Sequence, residues 1–186
     1  MDCLNNSTMK THIYILFFIS AFSFAQEKYL TKTGLISFEA SVPSFEEVAA
    51  KNNSVTAIIN TENGEIAVLT LIKGFRFKNA LMEEHFNENY AESDKYPKAI
   101  FEGNIENYSN EKDEGIFKVI GNLTFHGVTK TVKEIPVRVI KEEDKIIISG
   151  IFKLMASDFK IDIPKIVRNK IAEDVDVNFR FELLKK

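Results

Sequence analysis

His85 and His126 are the side chains best suited to move a proton near neutral pH, once His12, which falls in the leader described below, is set aside. His126 stands in GNLTFHGVTKTV, residues 121 to 132. As a general base it would need a nucleophile on one ring nitrogen and an orienting acid on the other. Thr124 and Thr129 are near in sequence, but no nucleophile elbow or acid motif accompanies them. The local pattern offers a structural role instead. Leu123 and Phe125 face one way, Asn122, Thr124 and His126 the other, and Gly127 supplies a turn. The imidazole is then placed to hydrogen-bond the turn backbone and fix the register of a hairpin. His85 lies on a helical stripe beside Glu83 and Glu84, without HExxH or carboxylate-histidine spacing, and reads as a packed or hydrogen-bonded residue. No catalytic residue, metal ligand or cofactor is expected, and the chain is read as a binding protein rather than an enzyme.

The elements that would hold such a corner are strands. Apolar and polar residues alternate with period two in LISFEASV (35 to 42), in the two arms of SVTAIINTENGEIAVLTLI (54 to 72), and in runs starting at Lys98, Gly115, Thr131, Lys145 and Asp174. The last run is the cleanest, with Val175, Val177, Phe179, Phe181 and Leu183 on one face and Asp176, Asn178, Arg180 and Glu182 on the other. Asn63-Gly64 predicts a tight type I′ turn, which needs positive φ at both central positions. Two segments read as helix. Ser44 with Glu47 forms a capping box for SFEEVAAK. Asn79 caps NALMEEHFNENYAES, whose stripe carries Leu81, Met82, His85, Phe86 and Tyr90. A third, weaker helical turn is expected in IPKIVRNKIAE, with Pro164 at its first position.

Eight antiparallel strands joined mostly by short loops predict an all-β, eight-stranded antiparallel barrel with one or two short helices near a mouth. Such a barrel is just wide enough to be filled by side chains or to hold one small ligand. Its inward wall would carry Phe38, Phe101, Phe117, Val119 and Phe125 from the first half of the chain. Phe152, Val177, Phe179 and Phe181 come from the second half, and Met82 and Phe86 from the helix. These are the candidate ligand-binding residues. Burying a methylene contributes roughly 0.8 kcal/mol, and association costs at least about 4 kcal/mol. A guest held by such a wall alone therefore needs on the order of ten carbons.

Residues 10 to 25, KTHIYILFFISAFSFA, combine a leading lysine, a short apolar run and small residues at Ser23 and Ala25, the pattern of a cleaved signal peptide. Residues 1 to 8 lack the expected positive charge, and Met9-Lys10 makes the better start. A single domain from 26 to 186 follows, periplasmic or secreted, with no transmembrane anchor. Cys3 is the only cysteine and departs with the leader, so the domain relies on packing, for which about 160 residues suffice. The 24 basic and 27 acidic residues are interspersed, without the basic stripe of a nucleic-acid binder.

Several segments resemble one family. GNLTFHGVTKTVKEIPV, SDKYPKAIFEG, KGFRFKNALMEEHF and MASDFKIDIP are similar to recognisable stretches of the YceI-like proteins, over nearly all of residues 28 to 184. The resemblance implies a lipocalin-like antiparallel barrel holding a long amphiphile, in some members a polyisoprenoid. It also implies a glycine after the SDF turn and an arginine shortly before it, whereas this chain has Lys160 after and Met155-Ala156 before. The expected partner is a long-chain lipid or isoprenoid ligand, with a homodimer also considered and no nucleic acid. The alternative is a barrel with a filled core that binds another envelope protein through its outer surface.

Overall fold

The computed structural model describes residues 27–42, 46–109 and 113–186. The expected leader, Ser44 and Phe45 lie outside the described residues. Nine strands form one antiparallel sheet: β1 (Lys28–Ser41), β2 (Ala49–Asn60), β3 (Glu65–Leu71), β4 (Arg76–Phe77), β5 (Lys98–Glu106), β6 (Glu114–Phe125), β7 (Val128–Glu142), β8 (Lys145–Met155) and β9 (Ile171–Lys185). Each long strand pairs with its neighbour in sequence, and β1 pairs with both β2 and β9. The eight long strands therefore close into an up-and-down barrel, as the alternation and short loops predict, and closure leaves the barrel no free edge. The two-residue β4 is an accessory, paired with Ala50 and Lys51 of β2.

The closed meander gives the barrel two unlike ends. One carries the turns β2–β3, β5–β6 and β7–β8 together with the start of β1 and the end of β9. There Lys185 reaches Glu27 at 2.7 Å, and the Lys186 N–H donates to the Lys28 carbonyl. The other end carries the β1–β2 link, residues 72–97, the β6–β7 corner and residues 156–170.

Two local expectations are corrected. The β2–β3 connection is a four-residue loop, not a two-residue type I′ turn. Gly64 donates to the Asn60 carbonyl, the Asn60 side chain accepts from the Glu62 N–H, and only Gly64 (φ 75°) is left-handed. The type I′ geometry belongs instead to His126 (φ 48°) and Gly127 (φ 72°) between β6 and β7. The SFEEVAAK helix does not form in its described part: Ala49, Ala50 and Lys51 are strand, paired with Glu39, Phe38 and Ser37 of β1. Here long-range pairing overrides the local capping signal.

The second helix is shorter than its stripe. Asn79 caps it as expected, its side chain accepting from the Leu81 N–H at 2.9 Å. The α-helix α1 (Ala80–His85) then widens into a π turn over Phe86–Tyr90. The third is a single 3₁₀ turn at Lys165–Val167 behind Pro164, and β9 starts at Ile171, inside the expected helix.

Candidate ligand cavity

The two ends differ inside. At the end with the termini, Tyr29, Ile59, Ile105, Ile146 and Leu183 are buried to between 0 and 3% exposure and pack into one solid cluster. Toward the other end the interior is hollow, a cavity of about 600 Å³ lined by Ile66, Val68, Val119, Val137 and Ile148 at mid-barrel and by aromatic rings above them. It opens among residues 72–97 and 156–170. Its few polar neighbours include Glu46, Asn79, His85, Tyr90 and Lys170, all from the open end.

Ten of the eleven candidate residues line this cavity: Phe38, Phe101, Val119, Phe125, Phe152, Val177, Phe179, Phe181, Met82 and Phe86. Phe117 does not. It belongs to the solid half, 5.9 Å from the Tyr108 ring, because its place near the start of β6 puts it at the closed end. Strand alternation assigns a side but not a height along the barrel.

Two features keep the rings from filling the space they face. In the β5–β6 register Gly103 lies opposite Gly121, and the Phe101 ring rests on the pair. A Cβ on Gly121 would stand 2.6 Å from Phe101 Cζ and 2.6 Å from Gly103 Cα. On β8, Gly150 is covered in the same way by Phe179. The rings lie along the wall where side chains are missing, and the axis stays open.

At the mouth, Phe38, Phe75, Phe77 and Phe86 form a cluster with ring centroids 5.2–5.8 Å apart. This cluster seats α1 and its π turn on the rim of the barrel. Glu83 fixes the seat from outside, accepting from Arg76 at 2.9 Å and from the Phe77 N–H at 3.1 Å. Phe75, Phe77 and Phe159 also line the cavity and were not among the candidates. The two phenylalanines of GFRF, spaced by two, were the available signal.

His126 does not line the cavity. Its Nδ1 donates to the Phe159 carbonyl at 2.9 Å, and its Nε2 meets Glu92 Oε2 at 2.7 Å. The ring lies edge-on to Tyr96, with centroids 4.7 Å apart. The corner role stands, but its partners are two other loops rather than the turn's own backbone. His126 thus ties together three connections of the open end. Three non-glycine residues with positive φ meet at this knot: Glu92 (42°), His126 (48°) and Lys160 (58°). Lys160 occupies the position where the resemblance implies glycine. Thr124 and Thr129 bond to each other across the hairpin at 2.8 Å.

His85 lies at the exposed rim. Among the described residues no three His, Cys, Asp or Glu side chains are grouped to hold a metal ion. Burial pushes the Tyr90 phenol above its ordinary value, which keeps a neutral hydroxyl near the mouth.

A closed eight-stranded meander with a helix on its rim is an architecture shared by many unrelated proteins, so sequence decides the family. Residues 22–183 match the model of the YceI-like domain. The chain belongs to this family. Solved structures agree on the fold. A polyisoprenoid-binding domain from Saccharophagus degradans superposes with a TM-score of 0.74 at 15% identity, covering 87% of this chain and 99% of that one. BcnA from Burkholderia cenocepacia gives 0.67 at 16% identity, covering 81% and 95%. A YceI protein from Campylobacter jejuni gives 0.63 at 19% identity, covering 78% and 88%. No curated protein matches in sequence. Among the described residues, no helix of this YceI-like chain is long and apolar enough to cross a membrane.

Proposed function

We propose that this YceI-like protein is a periplasmic or secreted binding protein that shelters a long apolar or amphiphilic chain, of isoprenoid or fatty-acyl type, without chemically altering it. The observation that carries this reading is the apolar hollow, closed at one end and open at the other. An apolar cavity of about 150 Å³ holds a benzene molecule. At the same packing, a cavity of about 600 Å³ holds a chain on the order of 24 carbons. That is well above the roughly ten carbons needed to offset the cost of association. Because the far end is solid, the guest enters tail first and leaves its polar end near Asn79, His85, Tyr90 and Lys170. A wall with so few polar groups fits alkyl and isoprenoid chains alike. The solved neighbour described as a polyisoprenoid-binding domain supports the same class of guest. The hollow also favours this reading over an interaction module with a filled barrel.

Extraction of the purified protein with organic solvent, followed by mass spectrometry, tests the proposal. One equivalent of a lipid with a long apolar chain is the expected result. A barrel that is repeatedly empty and cannot be loaded with a long-chain lipid from detergent overturns it.

A further inference from the structure

The rim of the cavity has two unlike lips. Residues 156–170, between β8 and β9, form one of them. Their inner side faces the cavity through Ile161, Ile163 and Val167. Their outer side carries Ile166, 86% exposed, on the 3₁₀ turn between Lys165 and Val167. Within residues 160–170 the cations Lys160, Lys165, Arg168 and Lys170 outnumber the one carboxylate, Asp162, and Asp158 just before them is paired with Lys130. Arg168 uses Asp162 at 3.5 Å and the Ile163 carbonyl at 2.9 Å. Among the described residues, Lys160, Lys165 and Lys170 have no ion-pair partner.

The opposite lip is α1 with its π turn. It presents Leu81, 56% exposed, but its charges are acidic: Glu83, Glu84 and Glu88. Among the described residues only Glu83 is neutralised there, by Arg76.

We propose that residues 160–170 are a docking surface for an anionic lipid bilayer, touching it with Ile166 and the three unpaired lysines so that the cavity mouth opens onto the lipid. This rests on the reading of the cavity as a lipid site, because a guest with such a tail resides in a bilayer when it is not in the barrel. An aliphatic side chain held out at a loop tip loses contact with water when it enters the headgroup boundary, and lysines around it gain from anionic headgroups. Lys160 and Lys170 stand at the two ends of the lip and Lys165 beside the apolar tip, so the charges flank the point of entry. The acidic lip holds α1 away from the same surface, so the barrel approaches tilted, with residues 160–170 leading.

Co-sedimentation of the whole domain with vesicles tests this, using phosphatidylcholine with and without a third of phosphatidylglycerol. The expected result is binding to the anionic vesicles that weakens as salt is raised and is slight with phosphatidylcholine alone. Lys165→Glu with Ile166→Ser should weaken that binding at least about tenfold, since each cation lost at such a surface costs roughly fivefold. Neither residue lines the cavity, so the lipid content of the double variant after loading from detergent should match the parent. Glu84→Lys with Glu88→Lys on the facing lip should strengthen binding. Equal binding by the parent and the lip variant, or equal binding to both kinds of vesicle, overturns the docking surface. A dimer that the lip variant dissolves, with no vesicle binding, assigns the surface to a second copy of the chain and overturns it too. Bound lipid in a protein that ignores vesicles removes the docking surface and leaves the cavity reading standing. Vesicle binding by a barrel that never holds lipid does the reverse.

Discussion

The closed and open ends of this barrel are built from the same eight strands, yet one is solid and the other hollow. At the closed end the inward residues are Ile59, Ile105, Ile146 and Leu183, with Tyr29 among them, and they meet across the axis. At the open end the inward residues are larger, Phe38, Phe101, Phe125 and Phe152, and they remain half-buried because they face space. Larger side chains thus accompany the larger void. Filling depends on direction as much as on volume: a branched aliphatic chain projects toward the axis, whereas a ring laid over Gly121 or Gly150 runs along the wall.

The sharpest way to break this comparison is a pair of truncations. Leu183→Ala in the solid half should cost about 2–5 kcal/mol of unfolding free energy, the range for a leucine removed from a tight core. Phe152→Ala, at a surface that already faces a void, should cost roughly half as much, although it removes more atoms. Urea unfolding of both variants checks the order, and equal losses would mean that the hollow half is as tightly packed as the solid one. Next in size is His126→Asn. Asparagine tolerates the left-handed turn but cannot reach both Glu92 and Phe159, so a loss of about 1–3 kcal/mol is expected. Hydrogen exchange should then quicken in residues 86–97 and 156–160 and stay unchanged around Ile59 and Ile146.

Lys160→Gly should act in the opposite direction. It relieves a left-handed non-glycine residue worth about 1–2 kcal/mol, offset by glycine's extra unfolded-state freedom of about 0.5–1 kcal/mol. A net gain of about half to one kcal/mol in urea unfolding is expected. The smallest effect concerns pH and the closed end. Burial first, then the neighbouring Tyr29 and Glu27, push the Tyr108 phenol above its ordinary value. The unfolded chain therefore gives up that proton before the folded one does, and the stability in question is complete below about pH 10 and declines as the pH rises through the folded value. Tyr108→Phe should flatten that alkaline decline, as read from thermal unfolding at a series of alkaline pH values.

Much of this organisation is legible from residue types alone. The period-two run of β9 names its buried face, and Val177, Phe179, Phe181 and Leu183 lie on it. Asn79 marks the start of α1. The misses arise where pairing between distant residues decides. Ala49–Lys51 reads as the end of the helix capped at Ser44 but finds β1 and β4 beside it. Phe117 alternates correctly but sits too far toward the solid end. The hollow itself depends on register: only the β5–β6 pairing sets Gly103 against Gly121, and no property of either glycine in its own strand announces that meeting.

The seating of Phe101 on two glycines has a consequence for the calibre of the barrel. One added carbon at Gly121 cannot be accommodated without moving either backbone or ring. A methyl group far from the rim would swing an aromatic plate across the passage like a shutter, shortening the longest tail that fits. Under the proposed function, the gauge for tail length is thus written at positions that carry no side chain at all.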